Sequence, residues 1–188
     1  DQVTGGILTL NTNTGTNGFE TVALTSEGTT ANVLATLVAT GANKVTVAGS
    51  QNLTVTNALP NSVVNLDATG FTGSLDVTAG NGVVTFVGGD GNDTFRFAAG
   101  QFNVRDKVDG GAAGTDTLRV AAAADLEAIT TANANIVSIE ALTLQNGGTA
   151  GATLRADLLG TSVNTINLLD GTAGTYAVRM NAGANTIS

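Results

Sequence analysis

The sequence predicts an all-β chain, a right-handed parallel β-solenoid or β-roll with glycine-rich turns and one short helical insert. Three observations predict it. Short runs of Val, Leu, Ile, Phe and Thr alternate with turn residues along all 188 residues, as half-buried strands do. Only 12% of the residues are charged, well below the usual quarter, so the chain lacks the Glu, Lys and Arg of helix surfaces. Its 25 glycines supply tight corners between strands.

Twelve strands are predicted between the clusters of Gly, Asn and Asp. In chain order they are GILTL, TVALTS, KVTVAG, NLTVTN, VVNLDA, SLDVTA, VVTFVG, DTFRF, TLRVA, ALTLQ, TINLLD and YAVRM. Their alternation places one face of each strand in a core and the other in solvent. A helix is predicted for AAAADLEAITTANAN, residues 121–135, and more weakly for ANVLATLVAT, residues 31–40, where a pair of core strands is the alternative.

Two pairs of segments recur at fixed spacings. Glu20 in FETVAL matches Glu140 in IEALTL, 120 residues later, and Asp67 matches Asp170, 103 residues later. The two spacings differ by 17 residues, which is close to one solenoid coil built from roughly two nine-residue halves. We therefore expect two related units, the second shorter than the first by about one coil.

These repeats divide the chain into three parts. Residues 1–85 form a first β-solenoid unit, residues 86–120 carry the glycine-rich turns, and residues 121–188 form a second, shorter related unit. The final NAGANTIS stops where its counterpart in the first unit continues into those turns. We therefore expect the chain to be a fragment of a longer repetitive protein.

Composition argues against several functional classes. The chain has no Cys, His or Trp, which removes thiol nucleophiles, disulfides, nearly all zinc sites and the Ser-His-Asp triad. A net charge of −8 argues against nucleic acid and anionic membranes as partners, and no apolar run is long enough for membrane insertion. Oxygen is the main ligand atom available, so the expected metals are hard cations.

One segment carries a specific metal motif. Residues 88–96, GGDGNDTFR, fit the pattern GGxGxDxUx, in which U is a large apolar residue and the turn binds calcium in β-helical repeats. The glycines expose carbonyl oxygens at a sharp corner, Asp93 adds a carboxylate, and Phe95 turns into the core. Calcium binds six to eight oxygens at about 2.3–2.6 Å, so two stacked corners can complete a site.

A second corner follows one spacer later. Residues 110–118, GGAAGTDTL, repeat the pattern with one extra residue before the third glycine, and the spacer carries Asp106 and Asp109. Upstream, residues 79–87 keep two glycines but place Val84 where the Asp should be. We interpret that segment as a degenerate corner without a carboxylate.

Acidic residues concentrate around these corners. Seven of the fifteen in the chain lie between residues 90 and 127: Asp90, Asp93, Asp106, Asp109, Asp116, Asp125 and Glu127. Without a cation these carboxylates repel one another, so metal binding and local folding should be coupled. The alternative is a pair of ordinary Gly-Asp turns with solvated carboxylates.

The two corners resemble the RTX (repeat-in-toxin) calcium-binding repeats of secreted Gram-negative proteins. The wider chain is similar to RTX-type surface-layer proteins and large surface adhesins, through GGDGNDTF, VDGGAAGTDTL, GFETVAL, SIEALTL and NLDATGFTGSLDV. The resemblance implies that adjacent corners share calcium (Ca²⁺) and that the protein leaves the cell by type I secretion, directed by a C-terminal signal outside this sequence.

Carried over by position, the resemblance implies ten metal-ligand residues. They are Gly88, Gly89, Gly91 and Asp93 in the first corner, Gly110, Gly111, Gly114 and Asp116 in the second, Asp90 through its carbonyl, and Asp109 as a flanking ligand. The chain departs from the family in having two corners rather than a long array, and Ala112-Ala113 lengthens the second. One or two complete sites are therefore expected.

The sequence predicts a non-catalytic, calcium-stabilised structural module of a secreted cell-surface protein. We expect it to be extracellular and to self-associate in a surface layer, matrix or fibre. Two alternatives remain open. A polysaccharide-modifying enzyme could use the carboxylate pair Asp125 and Glu127, or Asp67 and Asp76.

The other alternative is an adhesin module that recognises a cell-surface polysaccharide or another surface ligand. Tyr176 is the only tyrosine available as a platform for a sugar ring. An ice-binding face would need Thr-x-Thr pairs at constant coil spacing. The pairs at 12–14, 54–56 and 115–117 are irregularly spaced and fit ordinary strand threonines better.

Overall fold

The strands of the protein alternate in chain order between two sheets and stack as a β-solenoid. The computed structural model describes residues 5–10, 19–146, 153–160, 162–169, 177–180, 182–183 and 185–187. The strand pairings are parallel, and the apolar core lies within the coils, so the predicted fold class is confirmed. Asp170, Tyr176 and the threonine pair at 12–14, which carried sequence expectations, lie outside the described residues.

Odd-numbered strands form a nine-stranded sheet and even-numbered strands a six-stranded sheet. The nine-stranded sheet comprises β1 (Gly6–Leu10), β3 (Asn32–Ala39), β5 (Leu53–Val55), β7 (Leu75–Thr78), β9 (Thr94–Phe97), β11 (Thr117–Ala122), β13 (Ala141–Asn146), β15 (Thr165–Leu168) and β17 (Thr186–Ile187). The six-stranded sheet comprises β2 (Thr21–Ser26), β4 (Lys44–Gly49), β6 (Asn65–Phe71), β8 (Thr85–Val87), β10 (Lys107–Asp109) and β12 (Ile136–Val137). Outside them lie a two-stranded sheet of β14 (Thr153–Arg155) and β16 (Ala177–Arg179), the helix α1 (Ala123–Glu127) and a 3₁₀ turn (Ala156–Leu158).

Each coil is longer than the sequence spacing suggested. In the six-stranded sheet Thr21 pairs with Lys44, Lys44 with Asn65, and Asn65 with Thr85, which are advances of 23, 21 and 20 residues. Only the step from β7 to β9 has the expected 18-residue length. The expectation of a 17- or 18-residue coil is therefore wrong for most of the chain, because many corners are longer than tight turns.

In the core, apolar side chains from equivalent positions of successive coils stack on one another. Phe86 pairs with Val108 in the six-stranded sheet, while Val77, Phe95 and Leu118 align across the nine-stranded sheet. All five side chains are fully buried, and the Phe86 and Phe95 rings lie 6.1 Å apart between centroids. Burying one such side chain contributes about 1.5–3 kcal/mol, so these columns hold adjacent coils in register.

All twelve segments predicted as strands contain a strand, but the helix prediction is largely wrong. The helix α1 covers only five of the residues 121–135, and residues 31–40, the weaker helix candidate, contain the strand β3. Val33, Val38 and Thr36 are β-branched, and their preference for a pleated strand outweighs the helical spacing of the leucines. The prediction missed β3, β10, β12, β14 and β17.

Both sheets pass through the glycine-rich segment without a break. β8 and β9 on either side of the first corner, and β10 and β11 on either side of the second, belong to the same two sheets as the rest of the chain. The division of the chain into units 1–85, 86–120 and 121–188 stays a prediction. Within the described residues, no helix has the length and apolar character needed to cross a membrane.

Candidate metal centre

The two glycine-rich corners lie directly on top of one another in adjacent coils. Residues 88–93 connect β8 to β9 and residues 110–116 connect β10 to β11, and both strand pairs are bonded in register. The next corner on this side, residues 138–140, connects β12 to β13. We call these three stacked corners the glycine edge. The spacer between the first two corners forms the opposite side of the coil.

Glycine is required at this edge because backbone oxygens of the next coil occupy the space of a side chain. A Cβ at Gly88 would collide with the carbonyl oxygen of Gly110 and with Oδ2 of Asp93. A Cβ at Gly110 would collide in the same way with the carbonyl oxygen of Ser138 and Oδ2 of Asp116. Each glycine therefore leaves room for a carbonyl oxygen and a carboxylate oxygen to lie side by side.

The other glycines of the two motifs form two more columns of close backbone contact. A Cβ at Gly89 or Gly111 would collide with the carbonyl oxygen of the coil before it, and the same holds for Gly91 and Gly114. Gly111 and Gly114 also have φ angles of +122° and +109°, which L side chains rarely adopt. These four predicted ligand residues thus have a packing role that does not depend on a metal.

Asp93 is fully buried and both of its carboxylate oxygens accept backbone hydrogen bonds. Oδ2 accepts the N–H of Gly89 at 2.7 Å, and Oδ1 accepts the N–H of Leu75 in the preceding coil at 2.8 Å. Burial nevertheless raises the pKa of Asp93 above its ordinary value of 3.8, the two N–H donors opposing that effect. The carboxylate joins two coils whether or not a cation is bound.

Asp116 occupies the equivalent place one coil later, where fewer hydrogen-bond donors surround its carboxylate. It is 1% exposed, and the one hydrogen bond that its carboxylate accepts from the described residues is that of the Asp93 N–H to Oδ1, at 2.7 Å. Burial first, and then the nearby carboxylates of Asp93, Glu140 and Asp109, raise its pKa from 3.8 to about 7. The buried carboxylate of Asp116 therefore has fewer hydrogen-bond donors to stabilise its negative charge than that of Asp93 has.

The acceptor of one backbone N–H differs between the two corners. In the first corner the N–H of Gly89 bonds to Asp93, but in the second corner the N–H of Gly111 bonds instead to Oδ1 of Asp109, at 3.1 Å. Asp109 is half-buried and lies beside Asp116. Asp90 is exposed, and its backbone N–H donates to the carbonyl of Phe71 at 2.9 Å.

Glu140 is a member of the edge that the motif did not include. Its Oε2 accepts the N–H of Asp116 at 2.8 Å, just as Asp116 accepts the N–H of Asp93. Asp93, Asp116 and Glu140 therefore form an acidic column, each bonded to the next coil. The signal was present in the sequence, since Glu140 precedes the strand ALTLQN as Asp116 precedes TLRVAA.

The oxygen atoms of this edge fit a hard cation such as calcium better than any soft metal. Within the described ranges no three acidic side chains converge closely enough to hold a metal by themselves. Carbonyl oxygens would have to complete the coordination, and those of Gly110 and Ser138 border the two aspartates. The fit is better at Asp116 than at Asp93, because both Asp93 oxygens already accept N–H donors.

The remaining acidic candidates have local structural partners. Asp106 lies on the opposite side of the coil, where its oxygens accept the N–H groups of Val84 at 2.9 Å and of Asn103 at 2.8 Å. Burial raises the pKa of Asp106, as it does for Asp93. Asp125 accepts the N–H of Gly100 at 2.9 Å.

The proposed carboxylate pair Asp67 and Asp76 is not brought together. Asp67 lies on β6 in the six-stranded sheet and contacts Lys44 Nζ at 3.0 Å, whereas Asp76 lies on β7 in the nine-stranded sheet and binds Arg96. The second enzyme candidate, Asp125 with Glu127, shares α1, and each carboxylate accepts a backbone N–H.

Comparison with models of protein families, with curated protein sequences and with solved structures finds no match. The membership in the RTX family that the two corners suggest therefore stays a prediction from the sequence.

Proposed function

We propose that this chain is a non-catalytic, calcium-stabilised structural module of a secreted cell-surface protein. The observation that carries the proposal is the acidic column at the glycine edge. Asp93 and Asp116 are buried one above the other, and Asp116 bonds onward to Glu140. A cation bound at this edge would offset the repulsion between the carboxylates of Asp93, Asp116 and Glu140.

Calcium suits this edge for reasons of both charge and ligand type. A divalent cation offsets two neighbouring carboxylates, and calcium accepts the mixture of carbonyl and carboxylate oxygens that the stacked corners offer. Asp109 and Asp116 of the second corner, with the carbonyl of Ser138, are the residues best placed to hold it. Bound calcium would supply positive charge and fixed coordination, and this chain's own residues would supply the stacked coils.

Calcium binding would also make the stability of the fold depend on its location. Extracellular calcium modules bind with dissociation constants of about 10⁻⁴–10⁻³ M, above the free calcium concentration inside cells. The fold would be less stable before export and would gain stability outside the cell. This is the behaviour that a type I secreted protein needs, because it crosses the envelope unfolded.

Self-association in a surface layer or matrix is the role we propose for the folded module. The solenoid has two flat sheet faces along its length. Exposed apolar side chains in the sheets, such as Ile7 on β1, Val38 on β3 and Val137 on β12, are available for lateral contact with another copy.

Thermal unfolding and size-exclusion chromatography across a calcium titration test the proposal. We expect millimolar calcium to raise the unfolding temperature of the wild type and to shift it to larger particles. The double variant Asp93→Ala/Asp116→Ala should show neither change, while Asp67→Asn, a matched acid on the outer face of β6, should respond like the wild type. An equal response of the double variant, or no response of the wild type, would overturn the proposal.

A further inference from the structure

Two arginines lie next to each other on the outer face of the nine-stranded sheet. Arg96 on β9 and Arg119 on β11 are in-register partners, and each is half-buried. Like charges directly opposite one another on neighbouring strands are destabilising. The chain has only seven Lys and Arg residues against fifteen Asp and Glu residues, so stacking two of the seven calls for a reason.

The two guanidinium groups are not equally neutralised. Arg96 forms a bidentate pair with Asp76, through Nε and Nη2. Arg119 has no carboxylate within salt-bridge distance among the described residues, and its Nε donates only to the neutral Oε1 of Gln145, at 3.3 Å. Partial burial and the charge of Arg96 lower the pKa of Arg119. The face therefore carries one unmatched positive charge held next to a second arginine.

Three half-buried threonines lie next to this pair. Thr78 continues the row of the arginines on the side of β7, and Thr94 and Thr117 lie side by side in the neighbouring row, whereas Thr143, on the side of β13, is buried. Neighbouring strands are about 4.8 Å apart, so the rows form a closely spaced polar strip. None of the large apolar side chains that are exposed in the described residues lies on β7, β9, β11 or β13.

We propose that Arg96 and Arg119 form a binding site for a carboxylate-bearing polysaccharide. A uronic acid carboxylate would bind the guanidinium groups, Arg119 above all, and the three half-buried threonines would hydrogen-bond to sugar hydroxyls. Guanidinium groups match carboxylates in charge and in the geometry of their donors. The absence of exposed apolar side chains on these four strands favours a hydroxyl-rich ligand over a protein segment, which would need an apolar anchor.

The overall charge of −8 does not prevent this binding at physiological salt. Asp76 is the one carboxylate on β7, β9, β11 and β13, and it is paired with Arg96. Charges farther away than the Debye length, about 8 Å at 0.15 M ionic strength, are largely screened. The local charge of the strip, with two arginines and Asp76, is positive. The site does not depend on the calcium proposed at the glycine edge.

The probe is a galacturonic acid hexamer, titrated into the folded protein at 0.15 M salt with calcium and, separately, with chelator. We expect saturable binding by the wild type, and at least tenfold weaker binding by Arg119→Gln. Arg105→Gln, which removes the same charge from an exposed corner, is the matched control and should bind like the wild type. The methyl-esterified hexamer has the same sugars without the charge and should not bind.

A second measurement separates binding from folding. Without ligand, Arg119→Gln should unfold at the same or a higher temperature than the wild type, because the repulsion from Arg96 is removed. The hexamer should raise the unfolding temperature of the wild type and not that of the variant. Equal binding by Arg119→Gln and the wild type would overturn the proposal. Absence of hexamer binding by the wild type would also overturn it. If Arg119→Gln changed only self-association, the two arginines would instead be assigned to contact with an acidic protein surface.

Discussion

Replacing Asp116 with asparagine should stabilise the protein in the absence of calcium. The pKa of Asp116 rises from 3.8 to about 7 on folding, so between these values the folded protein keeps a proton that the unfolded chain has released. The contribution of protonated Asp116 to the free energy of unfolding is therefore fully present below about pH 4, and it is lost as the pH rises to 7. At about 1.36 kcal/mol per pKa unit, the loss amounts to about 4 kcal/mol.

Asparagine avoids this loss while keeping the local geometry. Its side-chain oxygen can still accept the N–H of Asp93, and its amide lies beside the carbonyl oxygen of Ser138, to which it can donate. The variant and the wild type should therefore have similar free energies of unfolding near pH 4. At pH 7 the variant should be more stable by up to about 4 kcal/mol.

Urea denaturation in chelator, followed by far-UV circular dichroism at each pH from 4 to 8, measures the difference. Asp67→Asn is a control of opposite sign, because Lys44 holds the pKa of Asp67 below its usual value and the salt bridge contributes only above that pKa. Calcium should reverse the order at pH 7, since only the ionised Asp116 binds it. A destabilised Asp116→Asn in chelator at pH 7 would refute the reasoning.

Three further substitutions have clear expectations. Gly88→Ala should lower the free energy of unfolding by several kcal/mol because its Cβ has no space, whereas Gly70→Ala, with nothing within 4 Å, should change it by less than about 1 kcal/mol in urea denaturation. Asp106→Asn should cost about 1–3 kcal/mol through lost acceptors and leave the calcium response in thermal unfolding unchanged. Phe95→Ala should cost about 3–5 kcal/mol, and the 46%-exposed Phe19→Ala much less, by the same denaturation assay.

The sequence predicted the fold class because alternation and corner residues recur in every coil. The strands it missed are mostly short, such as β12 with two residues and β10 with three, and such segments carry too few alternations to be recognised. The coil length was misjudged because it depends on the corners, which vary from the tight turn before β7 to the insert that contains α1.

The candidate site was predicted in part. The spacing of the two corners identified Asp93 and Asp116, and parallel pairing in register is what brings them together. The motif could not predict two features of the site. Glu140 joins the column only because β13 lies in register with β11, and the weaker compensation of Asp116 follows from Gly111 bonding to Asp109. Both depend on which backbone groups face each other across coils, and a linear pattern does not contain that information.

The buried carboxylates combine two roles that are usually kept apart. Asp93 and Asp106 are satisfied by backbone N–H groups and join coils on opposite sides of the solenoid. Asp116 has the same position in the backbone but fewer donors and more acidic neighbours. A cation therefore has most to contribute at the second corner, even though the first corner fits the calcium motif better.

The central claim is tested most directly by isothermal titration calorimetry of calcium into the wild-type protein at pH 7. The account predicts saturable binding with a dissociation constant of about 10⁻⁴–10⁻³ M, lost in Asp93→Ala/Asp116→Ala and retained in Asp67→Asn. Binding that survives unchanged in the double variant would place calcium elsewhere. No saturable heat from wild-type protein shown to be folded would contradict the claim and leave the glycine edge as a set of packed turns.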